Sequence, residues 1–144
     1  MGGLRYLLDT NIISALIRQS QGPLASVVAQ RGYGTLCTSI IVASELRFGA
    51  RKRGSSELSN RVNEILTVVP VLPLGLGVDE AYADVRFRLE RDGTPIGPND
   101  LLIAAHALSL DLTVVTDNAQ EFFRVPALRV ENWLAAIGEP GSIS

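Results

Sequence analysis

The sequence predicts an α/β fold in which strands and helices alternate around one parallel sheet. Short apolar runs, such as residues 4–8 and 113–116, are too brief for helices and are bounded by polar or turn residues. Between them, apolar residues recur at helical spacing. This alternation is typical of a parallel sheet covered by helices on both faces. The 144 residues, 47% of them hydrophobic, suffice for one domain with a substantial core.

The predicted elements follow one another with short connections. Strands are predicted at residues 4–8, 35–38, 71–74 and 113–116, with a fifth at 128–130. Helices are predicted at residues 12–17, 23–30, 40–53, 57–68, 78–91 and 100–110, with a helical turn at 118–122. Ser39 is a favourable cap for the third helix, and Gly54 ends it. We expect a single domain at residues 1–137 and a frayed polar tail at 138–144.

Composition excludes several classes of protein. No run of about eighteen apolar residues could span a membrane, and no basic-then-apolar signal peptide opens the chain. The single cysteine, Cys37, excludes an internal disulfide and a thiolate metal cluster. A net charge of −2 gives no bulk basic signal for nucleic acid. We therefore expect a soluble cytoplasmic protein without membrane association.

Acidic residues directly follow two of the predicted strands. Asp9 comes after the first strand, and Asp117 follows the strand at 113–116. In an open parallel sheet, ligands bind at the edge formed by the carboxyl ends of the strands. Each aspartate taken alone is equally typical of a helix cap, so neither position identifies a site by itself.

Two further acids lie on apolar faces of predicted helices. Glu45 has Ile41 and Phe48 as neighbours on its face, and Asp100 has Ile103. Burying a lone carboxylate costs free energy, so each of these two acids is expected to have an interaction partner close by. The alternative for Asp100 is a favourable interaction with the dipole of the helix whose first turn it occupies.

Together the four acids predict a cation site. Clustered carboxylates repel one another and raise each other's pKa unless a cation binds between them. Oxygen ligands without clustered Cys or His select Mg²⁺ or Mn²⁺, and such a site suits phosphodiester hydrolysis. Five polar neighbours are expected to orient the acids: Thr10, Asn11, Ser14, Asn99 and Thr116.

Several segments carry motifs that recur together in a known family. They are LLDTN at residues 7–11, SELRFG at 44–49, IGPNDLLIAAHA at 96–107, and VVT, EF and ENW between 114 and 133. In this order and at these separations they closely resemble PIN-domain ribonucleases. More narrowly, they resemble the VapC toxins of bacterial VapBC toxin–antitoxin pairs. The likeness covers nearly the whole chain.

The resemblance implies a three-layer α/β/α sandwich with a central parallel sheet of four to five strands. It also implies a Mg²⁺-dependent endoribonuclease, with Mn²⁺ as the other candidate ion, that cleaves structured RNA such as tRNA. The resemblance further implies that a VapB-type antitoxin inhibits the protein and that two copies of the chain form a homodimer. Asp9, Glu45 and Asp100 match the family's metal-binding acids.

The fourth acidic position departs from the family's commonest pattern. Many relatives have Thr-Asn-Asp where this chain has Thr116-Asp117-Asn118. We expect Asp117 to take the acidic role, and Asn118 is the alternative as a neutral ligand or neighbour. Three acids suffice to hold one metal ion, so this departure does not argue against activity.

Basic residues near the predicted site are candidates for RNA binding. Twelve of the thirteen basic residues are arginines, a bias that a G- and C-rich genome would also produce. The candidates for contact with the RNA backbone are Arg47, Arg51, Lys52, Arg53 and Arg86. The alternative is solvated helix faces with local ion pairs such as Asp84–Arg88. His106 lies off the face of Asp100, and we expect it to be a packing or surface residue.

Other enzyme classes fit less well. A haloacid dehalogenase-type phosphatase needs a second Asp two residues after the first, where this chain has Asn11. A response-regulator receiver needs a lysine near the site, and the only lysine lies in a predicted helix away from strand ends. A nucleotide-binding module is disfavoured because no Gly-rich phosphate loop follows the first strand. The main alternative is a non-catalytic PIN-like module that binds RNA or protein.

Overall fold

The computed structural model describes residues 3–135, which form a five-stranded parallel sheet flanked by α-helices. The strands are β1 (Tyr6–Leu8), β2 (Leu36–Ser39), β3 (Val71–Leu72), β4 (Thr113–Val115) and β5 (Val130–Glu131). The helices are α1 (Thr10–Arg18), α2 (Pro23–Arg31), α3 (Ile40–Arg53), α4 (Ser56–Val68), α5 (Val78–Arg91), α6 (Pro98–Ser109) and α7 (Ala119–Phe122). A 3-10 helix spans Tyr33–Thr35. The predicted tail at 138–144 lies outside the described residues.

The sheet has the strand order β3-β2-β1-β4-β5, with every pair parallel. The chain moves outward from β1 to β3, returns to β4 beside β1, and then moves outward on the other side. Right-handed crossovers therefore place α1–α4 on one face and α5 and α6 on the other, an α/β/α sandwich as predicted. The strand order reverses between β1 and β4, and ligands bind at such a switch point in open α/β sheets.

Local capping sets where the helices begin and end. Helices α3 and α5 have the predicted bounds. Helix α1 begins at Thr10 because Asp9, rather than Thr10 or Asn11, is its N-cap and accepts a hydrogen bond from the Thr10 N–H (2.8 Å). Helix α6 begins at Pro98, a residue well suited to a first helical turn.

Apolar side chains of β1, β2 and β4 are buried between the helical layers. The single tryptophan, Trp133, packs edge-on against Tyr6 of the central strand, with ring centroids 5.1 Å apart. The Arg31 guanidinium lies 5.5 Å from the centroid of the Trp133 ring. These contacts join the segment after β5 to the centre of the sheet. No helix in residues 3–135 is both long and apolar enough to cross a membrane.

His106 on α6 is fully buried and contacts the start of α3, as a packing residue. Its Nδ1 lies 2.9 Å from Oγ of Ser39, the N-cap of α3, which accepts a hydrogen bond from the Ile41 N–H. Burial lowers the pKa of His106 below its ordinary 6.5, and the Pro73 backbone only partly opposes this. The neutral ring therefore joins two helices through one serine hydroxyl.

We predict that Ser39→Ala destabilises the fold more than Ser55→Ala, its matched control. Ser55 caps α4 through the Leu58 N–H (3.0 Å), so its loss should cost about 1 kcal/mol. Ser39→Ala loses a cap and also removes the partner of a buried imidazole nitrogen, for a total of about 2–3 kcal/mol. Urea unfolding followed by Trp133 fluorescence measures both. Equal losses would show that the His106 contact contributes nothing.

Candidate active site

Asp9 lies at the carboxyl end of β1 and is only 4% exposed. Its Oδ1 accepts from the Thr10 N–H, and its Oδ2 accepts from the Thr116 hydroxyl (2.8 Å). Burial raises the pKa of Asp9, these two hydrogen bonds oppose the increase, and repulsion from Glu45 and Glu121 adds to it. Asp9 is therefore a buried carboxyl group that other acids destabilise when it is charged.

Glu45 projects from α3 towards Asp9 at a half-buried position. Its Oε1 accepts from the Thr10 hydroxyl, and its Oε2 accepts from the side-chain amide of Asn99 (3.1 Å). The apolar face expected around Glu45 is incomplete, because Phe48 is 67% exposed. Glu45 thus lies where the core meets solvent, so a ligand can reach its carboxylate.

Asp100 occupies the first turn of α6, near Asp9 and Glu45. Burial, a hydrogen bond with Glu121 and repulsion from Asp9, Glu121 and Glu45 raise its pKa to about 7. A hydrogen bond between two carboxyl groups requires a proton on one of them. Asp100 keeps that proton to a higher pH than an isolated aspartic acid does.

Glu121 on α7 is an acid of this cluster that sequence reasoning missed. Its Oε1 accepts from the Gly97 N–H at the start of α6 (2.7 Å), and its Oε2 accepts from the Asn118 amide. Burial alone would raise the pKa of Glu121, but hydrogen bonds from Gly97, Asp100 and Asn118 lower it. The EF motif at 121–122 was part of the family resemblance, and its glutamate was the available signal.

Asp117, the predicted fourth acid, is not among the charges that shift the pKa of Asp9 or Asp100. It is exposed, and its carboxylate accepts from the Asn132 amide (3.4 Å). Its backbone N–H donates to Oδ1 of Asn11 (2.8 Å), which fixes the loop after β4. The charge that acts on both Asp9 and Asp100 from this loop and helix is that of Glu121.

The predicted polar neighbours divide into three groups. Thr10, Asn99 and Thr116 donate directly to acids, and the Asn118 amide also donates to Oδ2 of Asp100 (3.3 Å). Asn11 acts through Thr116, 3.5 Å from its amide nitrogen, and through the Asp117 backbone. Ser14 instead lines a cavity beside Glu45.

The donor set suits a hard divalent cation in chemistry, although the side chains are arranged as hydrogen-bonded pairs. Within residues 3–135, no three Asp, Glu, His or Cys side chains converge closely enough to hold one ion as they stand. Asp9, Glu45, Asp100 and Glu121 nevertheless supply only oxygen ligands, and their mutual repulsion is the property that a cation relieves.

The predicted RNA-binding residues fall into two groups. Arg86 forms an exposed ion pair with Glu90 (2.8 Å) and also donates a hydrogen bond to the Tyr82 hydroxyl, as the alternative of a solvated helix face predicts; its contact with RNA stays a prediction. Asp84–Arg88 is an ion pair, as anticipated (3.2 Å). Four exposed cations on α3 have no carboxylate within ion-pair distance in the described chain: Arg47, Arg51, Lys52 and Arg53.

Comparisons with known proteins agree with this architecture. The PIN domain family model matches residues 6–128. Ribonuclease VapC2 of Haemophilus influenzae is 37% identical over 132 residues, which cover 91% of this chain and 99% of that protein. The tRNA(fMet)-specific endonuclease VapC of Shigella flexneri is 34% identical over 131 residues, covering 90% of this chain and 98% of that protein.

Solved structures show the same fold. The structure of VapBC2 from Rickettsia felis bound to a DNA fragment from their promoter aligns with a TM-score of 0.84 at 30% identity, covering 90% of this chain and 99% of that chain. DNA-bound VapBC from Salmonella typhimurium aligns with a TM-score of 0.81 at 33% identity, covering 90% and 98%.

Asp100→Asn should make the metal-free protein more stable at neutral and alkaline pH. The folded protein raises the pKa of Asp100 from 3.8 to about 7, so the folded state binds this proton more tightly than the unfolded chain. The contribution of this group to the free energy of unfolding is consequently largest below pH 3.8 and falls as the pH rises towards about 7. Asparagine cannot ionise and avoids that loss.

At pH 8 in EDTA, we expect the free energy of unfolding of the variant to exceed that of the natural protein by about 1 kcal/mol, a value discounted for solvent screening. Near pH 4 we expect no difference. Thermal or urea unfolding at both pH values measures the difference. Asp117→Asn is the control and should show no such pH-dependent gain. A destabilised Asp100→Asn at pH 8 would refute the raised pKa of Asp100 in the folded protein.

Proposed function

Because the chain belongs to the PIN-domain family and matches its VapC ribonucleases over nearly their whole length, we propose that it is a Mg²⁺-dependent endoribonuclease toxin. The observation that carries the proposal is that four acids lie close enough to shift one another's pKa at the switch point between β1 and β4. By the resemblance of their motifs, three of them, Asp9, Glu45 and Asp100, match the family's metal-binding acids. We assign the fourth role to Glu121.

In this proposal the four acids bind Mg²⁺, with Mn²⁺ as the alternative. Bound there, the ion would lower the pKa of a water molecule and stabilise negative charge on the phosphate. The chain's own residues orient the ligands: Thr116 and the Thr10 N–H fix Asp9, and the Thr10 hydroxyl fixes Glu45. Such supporting contacts commonly change activity by about 10–100-fold when removed.

RNA is the proposed substrate, and structured RNA, including tRNA, is the proposed class. The name of the Shigella relative supports tRNA as a candidate, since that protein is called a tRNA(fMet)-specific endonuclease. The unpaired cations on α3 lie along the helix that carries Glu45, where they suit contact with an RNA backbone. We also propose a cytoplasmic location, where such RNA is found.

We further propose a VapB-type antitoxin as the regulatory partner, because several structural neighbours are VapBC complexes. The homodimer implied by the family resemblance stays a prediction, which light scattering of the purified protein would test. The single domain at residues 1–137 likewise stays a prediction beyond the described residues.

Glu121→Gln should lower RNA cleavage by at least about tenfold, whereas Asp117→Asn should retain most activity. Glu121 belongs to the acidic cluster, and Asp117 is exposed and bonded to Asn132. Both substitutions remove one negative charge near α7, which makes them a matched pair. Cleavage of total bacterial RNA with Mg²⁺ measures the effect, with EDTA and Asp100→Asn as inactive references.

The reverse ranking, with Asp117→Asn inactive and Glu121→Gln active, would return the fourth role to Asp117. Cleavage that persists in EDTA or in Asp100→Asn would indicate a contaminating nuclease. An absence of cleavage with either Mg²⁺ or Mn²⁺, in protein free of any partner, would favour the non-catalytic binding module.

The resemblance implies a small VapB-type antitoxin encoded alongside this protein, and such an antitoxin should inhibit cleavage when the two are mixed. We expect a stable complex in size-exclusion chromatography and loss of RNA cleavage at equimolar ratio. A complex that cleaves RNA at the unbound rate would contradict an antitoxin role for that neighbour.

A further inference from the structure

A groove of about 230 Å³ lies beside Glu45, between α1, α3 and α4. Its lining on α1 and α3 forms two matching rows, Thr10, Ser14 and Arg18 on α1 and Glu45, Gly49 and Arg53 on α3. Residues four apart lie on the same face of a helix, so each row runs along its helix axis. The remaining lining is mainly apolar.

The two ends of the groove differ in chemistry. At one end the Thr10 hydroxyl donates to Glu45, so the groove opens directly onto the acidic cluster. At the other end are Arg18 and Arg53, about 12 Å further along helices that rise 1.5 Å per residue. A ligand filling the groove would extend from the acids to two guanidinium groups.

Gly49 has no structural reason to be glycine. Its φ is not positive, and a Cβ built on it meets no atom within 4 Å. Glycine inside a helix nevertheless costs about 1 kcal/mol relative to alanine. What the missing side chain provides at this position is width in the groove, between Glu45 and Arg53 on the same face.

The cations at the far end are available for a ligand. Within residues 3–135, Arg18 and Arg53 have no carboxylate within ion-pair distance, whereas Arg86, Arg88 and Arg91 each pair with a nearby acid. Unpaired guanidinium groups bind phosphate through two parallel hydrogen bonds. The groove therefore joins an apolar floor to a phosphate-binding end.

We propose that this groove binds the nucleotide adjacent to the phosphate that is cleaved. Its base lies on the apolar floor in the space left by Gly49, and its outer phosphate contacts Arg18 and Arg53. An apolar cavity of about 150 Å³ accommodates benzene, so this larger groove has room for a nucleobase. The assignment rests on the proposed function, because it takes RNA as the substrate.

The test compares two substitutions at Gly49 in the cleavage-deficient Asp100→Asn protein. Gly49→Leu fills the groove, and Gly49→Ala is the matched control that adds one methyl group to open space. The probes are fluorescein-labelled pentanucleotides of A, C, G or U, with binding followed by anisotropy in Mg²⁺. We expect Gly49→Leu to weaken binding of the best pentanucleotide by about tenfold or more, and Gly49→Ala by no more than about threefold.

Arg53→Gln, in the same background, should weaken binding of all four pentanucleotides and make the salt dependence shallower. Removing one phosphate contact to a single strand lowers the slope of log K against log salt by about 0.7. An unchanged slope would remove Arg53 from the phosphate-binding end.

Equal binding by folded Gly49→Leu and Gly49→Ala, or no binding of any pentanucleotide by the parent, would overturn the assignment. If the natural protein cleaves RNA and Gly49→Leu binds normally, only the groove assignment fails, and a protein side chain becomes the better occupant. If the natural protein cleaves no RNA but Gly49→Leu still weakens binding, the nuclease proposal fails; the groove then binds a nucleotide, but not one beside a cleaved phosphate.

Discussion

The burial of several carboxyl groups close to one another, at the carboxyl ends of β1 and β4, is the constraint on which the rest of the site depends, because burial first and mutual repulsion second disfavour their charged forms. The groups that hold these acids in place are mostly neutral donors: the hydroxyls of Thr10 and Thr116, the amides of Asn99 and Asn118, and the N–H of Gly97. Neutral donors orient a carboxylate without cancelling its charge. The site therefore keeps the negative potential that favours a divalent cation.

The acids are also part of the scaffold that positions them. Asp9 is the N-cap of α1, and Glu121 bonds to the N-terminus of α6, the helix that carries Asp100. His106 and Ser39 connect that same helix to α3, which carries Glu45. Each acid is thus tied to a second element of the site. The positions of the acids are therefore set by contacts between helices more than by the loops that precede those helices.

Local patterns in the sequence were sufficient for the fold class and for bringing three acids together. The buried strand before Asp9 and the helices that carry Glu45 and Asp100 are visible from periodicity, and Ser39 marks the start of the helix that carries Glu45. The position of Glu121 could not be predicted in this way, because it depends on a hydrogen bond from the Asp117 N–H to Asn11, 106 residues away in the sequence. That contact fixes the loop with the Asp117 carboxylate at the exposed surface and Glu121 near Asp100. The pairing of Arg86 with Glu90 was not visible in the sequence either, because it depends on a rotamer choice that composition does not reveal.

The distribution of the acids along the chain has a consequence for synthesis. The cluster draws on residues from 9 to 121, and β4 takes its place beside β1, which is translated well before it. A nascent chain emerging from the ribosome holds only a partial set of acids until most of it has been translated. An acidic site organised in this way cannot assemble before Glu121 has left the ribosome, so its chemistry begins late in synthesis.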